Sequence, residues 1–281
     1  MSTTRTGRIA AAPPAEYVAL PAWRRLAIDA IYVAVPVAIV LVCWQLVAKL
    51  SGIPAALFPP VESVAQALYN MAAEGTLWSD IGGTFARLLK AVIVGSVAGT
   101  ILGALMGNFR HWERLFVVPL NFLLAIPGTA LFPLTMLWFG ISEMAILSIL
   151  IYEVTLTVMA NTWTGVKSID VSLIRAGRAF GATGASMFWR ILMPSAMPSI
   201  ISGYRLAFSR SWRILIIAEM LISVGSGLGY RLYWAREYFH TDVVYAGLFT
   251  VGIVGLVFER LVLRTAEAMT VNRWGTVREL E

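Results

Sequence analysis

Five of the ionisable residues inside long apolar stretches of the sequence are candidates for function, because a charge there is costly unless it is paired or hydrated. They are Glu153, Arg205, Arg210, Arg213 and Glu219. Arg210 and Arg213 are three positions apart, so a helix would place both on one face. Two interpretations stay open: these arginines pair with Glu153, or their guanidinium groups line a pore and bind an anionic solute. Glu219 is expected near one end of its span.

No other spacing in the sequence indicates catalysis. There is no His-x-x-Glu pair within an apolar stretch and no Ser/His/Asp set, and Cys43 is the single cysteine. Residues Gly165–Ser168 (GVKS) lack the glycine spacing and the Gly-Lys pair of a phosphate-binding loop. We therefore predict that the chain is not an enzyme, that it binds no cofactor or metal, and that another chain binds any nucleotide.

The composition requires a membrane. The chain has 281 residues, of which 58% are hydrophobic and 14% are charged, whereas about a quarter of the residues of a soluble domain are charged. A chain this apolar can cover its surface only in a lipid bilayer. The net charge of +6 is typical of cytoplasmic loops between spanning helices and does not indicate nucleic-acid binding.

Spanning helices must therefore position the charged residues. Such a helix needs about 20 mostly apolar residues, and six segments qualify: 26–47, 84–106, 116–138, 144–163, 199–224 and 243–263. The third segment is interrupted by Pro127, Gly128 and Pro133. Broken backbone at membrane depth is either buried in protein or lines a cavity, so Pro127 marks a packing kink or the wall of a pathway.

A stripe of glycines marks one face of the second predicted span. The four residues recur at every fourth position: Gly95, Gly99, Gly103 and Gly107. Because small residues let two helix backbones approach closely, we expect a neighbouring helix to pack against this face.

Most of the 22 lysines and arginines fall on the cytoplasmic side if the N-terminus is placed there, as the positive-inside rule requires. Both termini are then cytoplasmic. The apolar run after residue 25 is too long for a signal-peptide core and no small-residue cleavage site follows it, so we predict a retained membrane anchor.

The segment between the fourth and fifth spans, RAGRAFGATGASMFWRILMP (Arg175–Pro194), is too polar for the membrane interior. Ser168 or Asp170 can cap a short helix that reaches about Phe180. Ser186 can cap a second short helix, which Pro194 is expected to end.

The turn between these two short helices is built from small residues, among them Ala176, Gly177, Gly181, Ala182 and Gly184. Small residues let a partner's backbone come close, and three arginines nearby (Arg175, Arg178 and Arg190) add charge for steering and pairing. The segment is therefore either an interfacial loop without a partner or a docking element for a cytosolic protein.

This segment resembles the cytoplasmic EAA signature of the membrane subunits of ABC importers: Glu-Ala-Ala, three residues, Gly, nine residues, then Ile-x-Leu-Pro. The chain has Arg175-Ala176-Gly177, Gly181 and Ile191-Leu192-Met193-Pro194 at the same spacing. It departs from the signature at three positions, where Arg175 replaces Glu, Gly177 replaces the second Ala and Met193 replaces Leu.

More of the chain, roughly from Phe85 to the end of the last span, resembles the nitrate/sulfonate/taurine-type branch of these permeases. The stretches that carry the resemblance are IPGTALFPLTMLWFGIS, NTWTGVKSID, FGATGASMFWRILMPSAMPSIISGYRLAFSRSWRILIIAEML and GLGYRLYWAREYFHTDVVYAGL. The resemblance implies an all-α protein of the type I importer fold, with six transmembrane helices and a cytoplasmic coupling-helix loop, in the inner membrane of a bacterium.

The resemblance also implies partners. A second copy of the permease would complete the translocation pathway, and each copy would insert its coupling loop into a nucleotide-binding ATPase subunit that holds ATP and Mg. A periplasmic or lipid-anchored binding protein would deliver a small anionic solute. The residues assigned to the coupling loop are Arg175, Ala176, Gly177, Gly181, Ala182, Gly184, Ile191 and Pro194; those considered for the pathway are Pro127, Glu153, Arg210, Arg213 and Glu219.

The predicted organisation has four parts: a cytoplasmic tail (1–25), the first spanning helix with an outer loop (26–83), a core permease domain (84–265, with the coupling loop at about 168–196) and a cytoplasmic tail (266–281). The alternative function is an ion-coupled secondary transporter that uses Arg210, Arg213 and Glu153. The absence of an internal sequence repeat argues against it.

Overall fold

The computed structural model describes residues 22–222 and 224–274, and every regular element in that part of the chain is helical. The helices are α1 (Ala22–Leu50), α2 (Val61–Ala73), α3 (Thr76–Asn108), α4 (Arg110–Ala125), α5 (Phe132–Phe139), α6 (Glu143–Lys167), α7 (Val171–Ala179), α8 (Gly184–Met187), α9 (Met193–Ile222), α10 (Leu228–Glu237) and α11 (Thr241–Trp274). A 3₁₀ turn (Gly128–Leu131) precedes α5, and a π-helical turn (Phe188–Leu192) joins α8 to α9. The predicted all-α class is confirmed.

The chain divides into two units, residues 1–52 and residues 53–281. In the first unit, α1 contains Pro36 and has its apolar part at Ala34–Leu50. The second unit holds α2 to α11. Residues 1–21 and 275–281, which belong to the two predicted tails, lie outside the described residues.

Three described helices are long and apolar enough to cross a membrane alone: α3, α6 and the Thr241–Leu261 part of α11. The pair formed by α4 and Gly128–Phe139 also qualifies, although its two halves meet at 86°. At 30 residues α9 has the length of a span, but it carries four charged residues, Arg205, Arg210, Arg213 and Glu219. These elements, together with α1, correspond in position to the six predicted spans.

The glycine stripe of α3 packs against α6, as the sequence predicted. A Cβ atom at Gly99 would lie 2.6 Å from the carbonyl oxygen of Thr155, and one at Gly103 would lie 2.6 Å from that of Met159. The same approach at the two ends of the stripe brings Gly95 against Val154 and Gly107 against Val166. The two backbones are therefore in contact at Gly99 and Gly103, and valine side chains of α6 pack against the two ends of the stripe.

On its other side α6 packs against α9 through two further glycines. A Cβ atom at Gly165 would lie 2.5 Å from the Cβ of Ser199, and one at Gly203 would lie 2.7 Å from the Cβ of Asn161. Helix α6 is thus the central helix of the second unit, and its inner residues, such as Leu150 and Val158, are fully buried.

The predicted break in the third span lies where Pro127 follows α4. The residue before this proline, Ile126, is extended (φ −87°, ψ 115°), which is the conformation that a following proline favours. The chain then forms the 3₁₀ turn and restarts as α5, with Pro133 in its first turn, where a missing N–H costs no hydrogen bond.

Candidate functional site

Loop 168–196 connects α6 to α9, and its first helix begins at a capped aspartate. The side chain of Asp170 accepts a hydrogen bond from the backbone N–H of Ser172 at 2.7 Å, which satisfies one free donor of the first turn of α7. Hydrogen bonds from the backbone and side chain of Ser172 lower the pKa of Asp170. Of the two predicted caps, Asp170 serves α7, whereas Ser168 lies at the C-terminal end of α6.

The turn after α7 is closed by a glycine in the left-handed region. Gly181 has a φ of +81°. The N–H of Gly181 donates to the carbonyl of Arg178, and the N–H of Ala182 donates to the carbonyl of Gly177, both at 2.9 Å. This pair of bonds is a Schellman motif, in which glycine is favoured because it has no Cβ to clash.

The glycines of the loop have different physical roles. A Cβ atom at Gly177 would lie 2.2 Å from Cδ1 of Ile191, so this position packs α7 against the π-helical turn. No atom lies within 4 Å of a Cβ built at Gly181 or Gly184, and both residues have positive φ. These two positions therefore need glycine for backbone conformation and leave open space around the turn.

The predicted end of the second short helix at Pro194 is wrong. Helix α8 begins at Gly184, with the N–H of Thr183 donating to the hydroxyl of Ser186 at 2.9 Å, and it continues through the π-helical turn into α9. Pro194 is the second residue of α9. A proline clashes with the carbonyl four residues earlier; here that carbonyl belongs to Arg190 in the wider π-helical turn, so the helix continues.

The surface of loop 168–196 presents exposed charged and aromatic residues. Arg175, Ala176 and Arg178 are exposed, and the side chain of Phe180 is 92% exposed. Sequence reasoning used Phe180 only as a helix end. An aromatic residue that is this exposed at a hydrogen-bonded turn suits contact with another protein.

The structure brings two of the residues considered for the pathway, Glu153 and Arg210, together beside the broken span. An oxygen of Glu153 lies 3.9 Å from a guanidinium nitrogen of Arg210. The other carboxylate oxygen lies 3.1 Å from a Cβ atom built at Gly128, the residue after Pro127. The side chain of Glu153 is 17% exposed and that of Arg210 is 44% exposed, so the arginine faces open space beside the broken span.

Arg213 points to a different neighbour from Arg210. Its Nε donates to the carbonyl of Ser209 at 3.4 Å. With Ser209, Trp212 and Glu259 it lines a cleft between α9 and α11. Residues three apart on a helix differ in direction by about 60°, which is enough for Arg210 to approach α6 while Arg213 faces the side of α11.

Glu219 is buried at the end of α9 that is remote from loop 168–196. It forms an ion pair of 2.7 Å with Arg87 of α3, and the two side chains are 1% and 8% exposed. The hydroxyl of Thr84 donates to the other oxygen of Glu219 at 2.9 Å. In the sequence, Arg87 was counted on the outer side although it lies at the start of the predicted span 84–106, and this pair was missed. The available signal was the spacing of Asp80, Thr84 and Arg87, which repeats on one helix face.

Aromatic residues cluster on α10, between the ends of α9 and α11. Trp234 stacks on Tyr238 with ring centroids 5.7 Å apart, and it meets Tyr230 and Tyr233 edge to face. The helix ends at Glu237, and Phe239, two residues later, has a φ of +59° and is 75% exposed. Exposed aromatic rings of this kind suit either an interfacial belt at the membrane surface or a contact surface for another protein.

Comparison with known proteins shows which family the chain resembles. Residues 91–271 match the family described as "Binding-protein-dependent transport system inner membrane component". A putative aliphatic sulfonates transport permease protein of Escherichia coli (strain K12) is 35% identical over 220 residues, which cover 78% of this chain and 83% of that protein. A taurine transport system permease protein of the same organism is 30% identical over 227 residues, covering 79% and 82%.

Solved structures show the same fold. The methionine ABC transporter MetNI in an inward-facing conformation contains a chain that superposes with a TM-score of 0.60 at 20% sequence identity, covering 71% of this chain and 98% of that one. The long family match, the two permease relatives and the shared fold agree with one another. The chain belongs to the family of inner-membrane components of binding-protein-dependent transport systems, the membrane-spanning permeases of ABC importers.

Proposed function

We propose that this permease imports a small anionic solute of the sulfonate or taurine kind, and that loop 168–196 couples it to a separate ATPase. The observation that carries the solute class is the Arg210 guanidinium, which is half-exposed beside Glu153 and the broken backbone at Pro127 and Gly128. A guanidinium fork matches the oxygens of a sulfonate. The similarity to sulfonate and taurine permeases supports this class.

Glu153 would hold Arg210 in place and weaken its attraction for anions. Because the two groups are 3.9 Å apart, the arginine keeps donors free to bind a solute oxygen. A site in which a fixed carboxylate partly balances an arginine binds an anion weakly enough to release it, as transport requires.

In the proposed assembly, two copies of the permease form the pathway. Loop 168–196 and both termini face the cytoplasm, and the loop contacts an ATPase subunit that binds ATP and Mg. The α10 end faces a periplasmic or lipid-anchored binding protein. The exposed surface around Phe180 and the open space at Gly181 and Gly184 support the ATPase contact.

Uptake of a radiolabelled alkanesulfonate into proteoliposomes that contain the permease, its ATPase and its binding protein tests the proposal. We expect ATP-dependent uptake that falls about tenfold or more in Arg210→Gln, because the neutral amide cannot pair with the sulfonate. Arg205→Gln is the matched control, because Arg205 is also exposed on α9 but lies more than one helical turn away. Normal uptake by well-assembled Arg210→Gln, or uptake that persists without the ATPase, would contradict the proposal.

A further inference from the structure

The end of α9 that is remote from loop 168–196 is tied to α3 by buried charge. In addition to its ion pair with Glu219, Arg87 donates to the carbonyls of Ser226 at 2.6 Å and Val224 at 3.3 Å. One arginine of α3 therefore holds the C-terminal part of α9 and the segment that follows it. Burial removes competing water, so the geometry of these bonds is closely defined.

The same cluster holds the start of α10. The first N–H groups of a helix have no partners within the helix. At α10 side chains accept three of them: Asp80 accepts from Gly227 at 3.1 Å, Thr84 from Leu228 at 2.9 Å and Glu219 from Gly229 at 2.9 Å. Because Asp80 and Thr84 belong to α3, and Glu219 to α9, three helices meet at one hydrogen-bonded point.

The start of α10 packs against α9 so closely that two of its positions have no room for a side chain. Gly227 has a φ of +141°, and a Cβ atom there would lie 2.6 Å from the carboxylate of Glu219. A Cβ atom at Gly229 would lie 2.4 Å from the carbonyl oxygen of Ile216. The two glycines thus allow the backbone of α10 to rest directly on α9, and Arg231 adds an ion pair of 2.8 Å with Asp80.

Helical structure runs without interruption from Gly184 in loop 168–196 to Ile222. At 1.5 Å per residue this rod is about 55 Å long. Glu219 therefore lies near one end of a rod whose other end forms the second arm of loop 168–196. A displacement of the loop would reach Glu219 along this helical segment, whose hydrogen-bond ladder lacks the N–H groups of Pro194 and Pro198.

We propose that the cluster of Asp80, Thr84, Arg87 and Glu219 is a permanent mechanical link that makes α3, α9 and α10 move as one body. Glu219 is then a positioning residue: it transmits the movement of loop 168–196 to α10 and does not contact the solute. The inference rests on the proposed function, because it takes the ATPase as the source of that movement.

A disulfide can replace the link. A Cβ atom at Gly83 lies 3.0 Å from Oγ of Ser226, a separation compatible with a disulfide between cysteines at the two positions. Cys43, the single native cysteine, is first replaced by serine. The assembled complex with Gly83→Cys and Ser226→Cys is oxidised, and ATP-dependent uptake is measured before and after reduction.

If the link is permanent, the oxidised protein transports within about twofold of its reduced form. Glu219→Gln alone is expected to lower uptake about tenfold while the ATPase still hydrolyses ATP, because hydrolysis no longer moves α10. The cross-link restores uptake to Glu219→Gln, and a reductant abolishes the rescue. Lys90→Gln is the control. Lys90 is also on α3, and its replacement removes only an exposed ion pair with Glu143 of α6, so uptake should be unchanged.

Two results would overturn the inference. If the cross-link blocks uptake in the otherwise native chain and reduction restores it, the cluster opens during transport. If the cross-link is tolerated but fails to rescue Glu219→Gln, the carboxylate has a role in the pathway. Should Glu219→Gln fail to assemble, Arg87→Lys, which keeps the charge but not the forked geometry, takes its place. A native complex without any ATP-dependent uptake would instead contradict the proposed function.

Discussion

The charged residues of α9 show that a sequence can identify an unusual charge in an apolar stretch but not the partner of that charge. Arg210, Arg213 and Glu219 follow one another within three helical turns, yet they face three different neighbours: Glu153 of α6, the cleft beside α11 and Arg87 of α3. The sequence identified all three as unusual because charges are expensive in lipid. It could not identify the partners, because Arg87 and Glu219 are separated by 132 positions and only packing brings them together.

Gly181 allows a test of backbone conformation without interference from packing. No atom lies within 4 Å of a Cβ built there, and φ is +81°. We expect Gly181→Ala to destabilise the turn by about 1 kcal/mol, because an L-residue pays a conformational cost in the left-handed region. Gly181→Asn should cost less, since asparagine tolerates that region.

Hydrogen exchange of the amides of Gly181 and Ala182 measures this effect, because both close the turn. Exchange should be fastest in the alanine variant and intermediate in the asparagine variant. Equal exchange in all three proteins would show that the turn does not depend on glycine.

The cap of α7 predicts how the stability of this helix changes with pH. The pKa of Asp170 is lowered by hydrogen bonds from Ser172, so the ionised carboxylate stabilises the folded helix. This contribution is present above the pKa of the unfolded state and is lost as the pH falls through the lower, folded value. We expect the protection of the α7 amides, after correction for the intrinsic pH dependence of exchange, to fall as the pH drops below the ordinary aspartate pKa of 3.8. Asp170→Ala should show low protection already at neutral pH, without the acid step.

Among the helices, the best-predicted contact is the one that depends on spacing alone. A glycine at every fourth position of α3 predicts a close partner, and α6 provides it. The break at Pro127 was also predicted, because a proline interrupts a helix whatever packs around it.

Helices α2 and α10 were not predicted, because short helices lack the length that identifies a span. The helix end at Pro194 was predicted wrongly because a proline normally ends a helix, and the sequence does not show that a π-helical turn precedes this one.

Helix α3 contains its own control for the glycine stripe. Gly103→Ala should destabilise the protein by about 1–3 kcal/mol, because the new methyl would lie 2.6 Å from a backbone oxygen that cannot rotate away. Gly82→Ala, on the same helix with open space around it, should be neutral or stabilise by up to about 1 kcal/mol. Thermal unfolding in detergent compares the two, and similar loss in both variants would argue against direct backbone contact.

On the scale of the whole molecule, exposed aromatic residues lie at both ends of the second unit. Phe180 is 92% exposed in loop 168–196, and Phe239 is 75% exposed after α10. An exposed side chain contributes little to folding, so both phenylalanines are free to serve contacts between proteins. Under the proposed function these contacts differ, with the ATPase at the Phe180 end and the binding protein at the Phe239 end.

The pair of phenylalanines makes that difference measurable. Phe180→Ser should leave thermal unfolding unchanged and should weaken co-purification of the ATPase about tenfold, because an aromatic anchor is lost from the interface. Phe239→Ser is the matched control and should retain the ATPase fully. Loss of the ATPase from both variants, or from neither, would mean that Phe180 is not the docking contact.

The glycine contacts of α6 limit how this protein can change shape. Because α6 packs closely against both α3 and α9 at these glycines, a slide of one helix by a turn would force side chains past each other in a close-packed contact. Under the proposed function, alternation between two open states would then occur by tilting of the three helices together, and inhibitors of that motion should be sought at their outer boundary and not within their core.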